Sequence, residues 1–179
     1  MSKKHIFWLK NALFLAFLVI FDQITKYLAK AHLRGKKSTV LIPKVLSFKF
    51  LDGGNSGAAW GILSGRIVLF IIFTVFAILL IAKFIYNIYN MYKINYSLNP
   101  TVVFIDYAMV MLVAGAIGNL IDRIVYGNVT DFISFDFIQF PIFNVADIYV
   151  TVSCISLILI CIFKVDGEIF NKIFAFKSK

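Results

Sequence analysis

The segment 129–147, VTDFISFDFIQFPIFNVAD, holds three aspartates, Asp131, Asp136 and Asp147, and no Glu, Lys or Arg. It leads directly into an apolar run long enough to cross a bilayer. An ionisable group at membrane depth is costly, so such groups usually face protein or water and mark function. Two carboxylates held close together cannot both ionise cheaply and come to share one proton. One then acts as base toward a water and the other as acid toward a leaving group. Asp131 and Asp147 suit that role, because they flank a loop that leaves and re-enters one membrane face. Asp147 also has a second reading. Asn144 lies three residues before it, so the two form a capping-box-like pair at a helix N-terminus. Asp136 lies between the candidates and is expected to be solvated.

Further polar residues fall near the same level of the bilayer. In AGAIGNLIDR, Gly115, Asn119 and Asp122 sit at i, i+4 and i+7 on one helical stripe, with Arg123 beside them. Ala114 and Gly118 form a small-xxx-small pair that lets a neighbouring helix approach closely. Helix packing accounts for the glycines, but an amide inside a span, as at Asn119, needs a partner. Asp22 and Lys26, at i and i+4, suit an intrahelical ion pair and a structural role. In NSGAAWG, Asn55 precedes small residues that allow close backbone approach.

Other hydrolytic chemistries find no support. No Ser or Cys stands near a His, no H-E-x-x-H or P-loop occurs, and the D-T-G or D-S-G signature of soluble aspartic proteases is absent. Cys154 and Cys161 lie two helical turns apart, too far to bond to each other, and read as buried apolar residues. No metal-binding pattern is present, and no cofactor is expected. A small proton- or ion-coupled transporter is the competing class, since intramembrane aspartates also serve ion relays. The clustering of the acids at one face, with no inverted repeat, favours the reading of an acid–base pair acting on water.

These residues need a frame, and composition supplies it. Of 179 residues 61% are apolar, well above the half that is usual in globular chains. Four runs are long enough to span the bilayer, at about 6–28, 67–89, 101–121 and 143–163. The net charge of +9 could suggest nucleic acid, but the basic residues mostly flank apolar runs, so none is expected. In the loop at 29–66, Leu46, Phe48 and Phe50 alternate with Ser47 and Lys49, which predicts a strand, and Asp52-Gly53-Gly54 predicts a turn. The loop at 122–142 alternates in part. Phe132, Phe135, Phe137 and Phe140 are expected to rest on headgroups or pack on the first loop. The predicted fold is an all-α membrane protein of four transmembrane helices with a small β-structured surface platform. Parity of the spans puts both long loops at one face. The positive-inside count ties at nine basic residues on each side, and only the basic start weakly favours a cytoplasmic N-terminus.

Five motifs together resemble lipoprotein signal peptidase, signal peptidase II, of bacterial inner membranes. They are DQITK at 22–26, NSGAAWG at 55–61, GAIGNLIDR at 115–123, VTDFI at 129–133 and FNVADIYV at 143–150. They occur in the family's order and spacing and touch all four spans. The resemblance implies one membrane aspartyl endopeptidase domain over 1–179, cleaving prolipoproteins before a diacylglyceryl-modified Cys. It implies Asp131 and Asp147 as the catalytic pair, and Asn55, Asn119, Asp122, Arg123 and Asn144 as residues lining the site. Asp22 is implied as support, beside Lys26, Gly115 and Gly118. It further implies cytoplasmic termini, a periplasmic site and platform, phospholipid surroundings and a monomer. Trp60 stands where the family often has Phe.

Overall fold

The computed structural model describes residues 3–55, 66–93 and 99–176. Its elements in chain order are α1 (Lys3–Leu33), β1 (Thr39–Ile42), β2 (Leu46–Phe48), α2 (Ile67–Lys93), α3 (Pro100–Tyr126), β3 (Ile133–Phe135), α4 (Val145–Phe163) and α5 (Gly167–Phe174). Helices α1 to α4 are long and apolar enough to cross a membrane. All four lie where the sequence places them; the first ends five residues later than expected and the second four. The third runs five residues beyond its expected end, to Tyr126, so Asp122 and Arg123 belong to the helix and not to the loop after it.

Helix α3 is the central element, packing against α1, α2 and α4. Over half of its apolar window is buried, 56%, against none of that of α2, so the bundle is organised around α3. Its ends are set by sequence. Asn99 accepts from the backbone N–H of Thr101 at 2.9 Å, with Pro100 at the first helical position, where its missing N–H costs nothing. Gly127 closes it in the left-handed conformation, φ 71°, and donates back to the Arg123 carbonyl. One apolar cluster gathers Phe7, Ile88, Ile105 and Ile173 toward the pole of the chain termini. A smaller one, of Ala29, Phe132 and Ile133, lies under the surface platform. Phe17, Phe73, Phe76 and Ile162 point outward from the bundle, as residues facing lipid do.

Strands β1, β2 and β3 form an antiparallel sheet in that order. Leu46 pairs with Phe135 and Phe48 with Ile133, so the predicted strand in the first loop adds to the loop between α3 and α4. The predicted turn is present, with Gly54 N–H donating to the Leu51 carbonyl and both Gly53 and Gly54 at positive φ. Phe132 packs on Phe48 of the first loop, one of the two expected roles, whereas Phe137 is 59% exposed. Two details differ from expectation. Cys154 faces outward from the bundle instead of lying inside it, because its side of α4 meets no other helix. The short α5 was unforeseen. It is held under α2 by the Asn87 amide, which donates to the carbonyls of Ile173 and Ala175 at 2.8 and 2.9 Å.

Candidate active site

The loop between α3 and α4 is closed by backbone pairing. Phe143 N–H donates to the Ile133 carbonyl at 3.0 Å and Ile133 N–H returns to the Phe143 carbonyl at 2.8 Å. Asp131 lies two residues before this closure and Asp147 four after it, so the pairing brings them to one place. A second bridge joins the first loop to the same strand. Asn55 and Val129 exchange both backbone bonds at 2.9 Å, and Leu51 N–H donates to the Asp131 carbonyl at 3.1 Å. Asn55 thereby arrives beside Asp131.

One residue grips both aspartates. The Asn144 Nδ2 donates to Asp131 Oδ1 at 2.7 Å, while its backbone N–H donates to Asp147 Oδ2 at 3.1 Å. Its own Oδ1 accepts from Asp147 N–H at 3.1 Å, completing the capping box at the start of α4. The cap reading of Asp147 is therefore correct, and Asp147 also faces Asp131. The remaining oxygens are occupied as well. Asn55 Nδ2 donates to Asp131 Oδ2 at 2.9 Å, and Asn119 Nδ2 donates to Asp147 Oδ1 at 2.7 Å.

The orientation of Asn119 is fixed from behind. Its Oδ1 accepts from the Lys26 ammonium at 3.0 Å and from Asn144 Nδ2 at 3.1 Å. An ammonium only donates, so the amide must turn its NH₂ toward Asp147. Lys26 is 2% exposed and lies between two carboxylates, Asp22 Oδ2 at 2.9 Å and Asp122 Oδ2 at 3.7 Å. A buried charge is tolerable only when paired and hydrogen-bonded in this way. Asp22 Oδ1 accepts from Ala146 N–H at 2.9 Å, tying α1 to the first turn of α4. Asp122 Oδ2 accepts from Thr130 N–H at 2.8 Å, fixing the backbone next to Asp131. The glycines of α3 permit this closeness. A Cβ on Gly118 would collide with Asp22 Oδ2, and one on Gly115 would lie 2.5 Å from the Ala146 carbonyl.

A cavity of about 270 Å³ opens onto the pair. Asn55, Asn119, Arg123, Asp131 and Asp147 line it, with Phe140 and Phe143 on its wall. Asp122 and Asn144 are buried behind that lining, at 1% and 0% exposure. Burial first, and the charge of Asp147 second, push the Asp131 carboxyl up to about 6. Asp136 is exposed as expected, but it also accepts from Ser47 Oγ at 2.8 Å and so pins β2. The rest of NSGAAWG after Asn55, including Trp60, lies outside the described residues.

Two features went unread in the sequence. Gln23 donates to Asp22 Oδ2, to the Gly118 carbonyl and, at 3.4 Å, to Asp122 Oδ1. It stands inside DQITK, which was the signal available. Asp106, fully buried near the opposite end of α3, accepts from Asn11 Nδ2 at 2.8 Å and lies 3.1 Å from the Lys10 ammonium. It is spaced sixteen residues before Asp122, too far to read with the site.

Residues 14–163 match the family described as Signal peptidase (SPase) II. A lipoprotein signal peptidase of Staphylococcus aureus strain JH9 is 41% identical over 161 residues, covering 89% of this chain and 91% of that protein, and that of strain Newman agrees equally. A bacterial membrane enzyme solved by the in meso method at 2.3 Å superposes with a TM-score of 0.70 at 35% identity, over 86% of this chain and 87% of that one. A second, solved at 1.9 Å, gives 0.67 at 38% identity, over 88% and 94%. With its buried aspartates on a four-helix membrane frame, this chain belongs to the signal peptidase II family.

Proposed function

We propose that Asp131 and Asp147 form the catalytic dyad of a membrane aspartic endopeptidase that removes signal peptides from diacylglyceryl-modified prolipoproteins, before the lipidated Cys. Family membership supports the activity. The observation that carries the assignment is the grip of Asn144 on both carboxylates at the mouth of one cavity. Below about 6, the raised value of Asp131, the pair holds a proton between two acids. The ionised member removes a proton from water, which attacks the scissile carbonyl. The protonated member polarises that carbonyl, and its proton then reaches the leaving amine, closing the cycle. Arg123 and Asn55 hold the substrate backbone in the cavity. Asn119, at the cavity wall, positions Asp147, and Asn144, Asp122, Asp22 and Lys26 position the dyad from behind. Phe140 and Phe143 form its apolar wall.

The frame functions as one peptidase domain over 1–179, in a bacterial inner membrane with cytoplasmic termini and a periplasmic site. The lipid tails of the substrate stay in the bilayer between helices. A single copy carries both aspartates, which suits a monomer. The test changes Asp131→Asn and Asp147→Asn separately and follows processing of a diacylglyceryl-modified prolipoprotein by purified protein. Each change is expected to lower kcat at least about a thousandfold, in line with losing a general acid or base. Full activity in either variant overturns the mechanism.

A further inference from the structure

A second cavity, of about 280 Å³, lies at the same pole, and none of its lining residues belongs to the dyad's hydrogen-bond network except through the backbone. Its cations come from the last turn of α1 and the residue just after it. Asp22, Lys26, Lys30 and Arg34 follow one another at four-residue steps, so one stripe runs outward along the helix. Asp22 and Lys26 are spent inside the buried ion network. Lys30 and Arg34 line the second cavity. The Lys30 ammonium is held 3.1 Å from the ring centroid of Tyr126, which fixes it at the rim by a cation–π contact.

The floor of this cavity is polar and unfilled by protein. Thr130, 2% exposed, lines it, and its hydroxyl is buried with no hydrogen-bond partner. A buried hydroxyl left so is unfavourable, and a ligand oxygen that reached it would satisfy it. Gly53 and Gly54 form one side in the left-handed conformation, and Gly54 lies so close to Asn128 that any Cβ there would collide with its side chain. Among the described residues, no carboxylate lines the cavity. Below its rim, Ile24, Leu28, Ile124 and Val125 are exposed on α1 and α3, presenting an apolar wall next to the pocket.

We propose that the cavity between Lys30, Arg34 and Thr130 binds a phosphate group. Two cations, a hydroxyl and an absence of acids suit a phosphate oxyanion. The apolar wall suits the acyl chains of a phospholipid whose headgroup is seated there, and free phosphate has the same oxyanion chemistry. Occupation has a route to the dyad, because Thr130 precedes Asp131 and the Gly53-Gly54 turn precedes Asn55, which donates to Asp131. The site stands apart from the peptidase reading, and its test reads binding and not cleavage.

The experiment uses the full-length protein in a mild detergent, with lipid retention followed by native mass spectrometry and phosphate by phosphorus NMR. The probes are phosphatidylglycerol, a diacylglycerol with the same tails, and inorganic phosphate. Wild type is expected to hold phosphatidylglycerol more tightly than diacylglycerol. The Lys30→Gln, Arg34→Gln double variant is expected to weaken it about thirtyfold, from about fivefold per surface cation. Thr130→Val, of nearly the same shape, is expected to weaken it severalfold with its fold retained by circular dichroism. If millimolar inorganic phosphate binds alone and displaces the lipid, with the same sensitivity to the variants, the natural occupant is free phosphate. If it does not, the occupant is a phospholipid headgroup. Equal binding of both phosphate probes by wild type and the double variant overturns the site.

Discussion

The dual position of Asn144 permits a substitution that separates capping from catalysis. Asn144→Ser keeps a side-chain oxygen at the N-cap, where Ser and Asn are nearly equal. The bond from Asp147 N–H, 3.1 Å to the present Oδ1, is retained in kind, and the backbone donation to Asp147 Oδ2 is untouched. What goes is the amide Nδ2, 2.7 Å from Asp131 Oδ1 and 3.1 Å from Asn119 Oδ1. A hydrogen bond to a charged group contributes about 1.5–3 kcal/mol. The lost donor stabilised the anion, so its removal moves the dyad's ionisation to higher pH. At 1.36 kcal/mol per unit the rise is about 1–2 units, from a starting value of about 6 at Asp131. The alkaline limb of kcat/KM, where the pair loses its last proton, therefore moves to higher pH by about that much. Its plateau falls about ten- to a hundredfold, through looser placement of Asp131. The thermal midpoint shifts little, whereas Asn144→Ala loses the cap and about 1 kcal/mol more. The assay is cleavage of a fluorogenic diacylglyceryl peptide from pH 4 to 9, with melting measured in parallel. An unmoved alkaline limb with wild-type kcat/KM refutes the assignment of Asn144 as the clamp on the dyad. Equal melting losses for the Ser and Ala variants refute the cap argument.

Other substitutions test the support behind the dyad. Gly118→Ala places a methyl on Asp22 Oδ2, and is expected to cost about 1–3 kcal/mol and to lower activity, while Gly167→Ala, with open space around it, stays neutral in the same melt. Lys26→Met leaves Asp22 and Asp122 buried without their shared cation; a loss of about 3–5 kcal/mol is expected in denaturation. The raised Asp131 carboxyl also gives stability a pH dependence. Between about 4, the unfolded value, and about 6, the native state holds a proton that the unfolded state has lost. Stability therefore falls as pH rises through that window, and the slope is reduced in Asp131→Asn; a slope of opposite sign over the window contradicts the burial argument.

Much of this arrangement was legible because its residues recur at helical spacing. Gly115, Asn119 and Asp122 share a stripe, and Asp22 and Lys26 sit one turn apart, so their faces follow from the period of the helix. The strand at Leu46–Phe48 followed from alternation. What spacing cannot give is pairing across chain distance. That Ile133 bonds Phe143, and Asn55 bonds Val129, depends on loops closing in three dimensions. For the same reason Asp122 and Asn144, placed by sequence with the residues lining the site, lie behind its surface. The stripe gives their direction but not the depth at which Thr130 and Asp131 cross them. Lys26 was legible as the partner of Asp22, but its contact with Asn119 joins residues 93 apart. The length of α3 was underread because Asp122 and Arg123 were treated as marks of a span's end, whereas their partners are found within the protein.

A helix cap and the proposed catalytic acid share one side chain, and acceptor capacity removes the conflict between them. An ionised carboxylate offers about four lone-pair sites. In Asp147, Oδ2 uses one for Asn144 N–H and Oδ1 one for Asn119 Nδ2. In Asp131, Asn144 and Asn55 take one on each oxygen. Each oxygen thus keeps a site for water, for substrate or for the shared proton. All four donors are amides, which neither supply nor remove protons near neutral pH. Lys26, buried behind the pair, makes its hydrogen bond toward them to the Asn119 amide and its ion pairs to Asp22 and Asp122, not to Asp131 or Asp147. A direct pairing with lysine would hold a carboxylate ionised and oppose the shared proton. Interposing Asn119 keeps the geometry fixed while leaving the dyad's proton free to move.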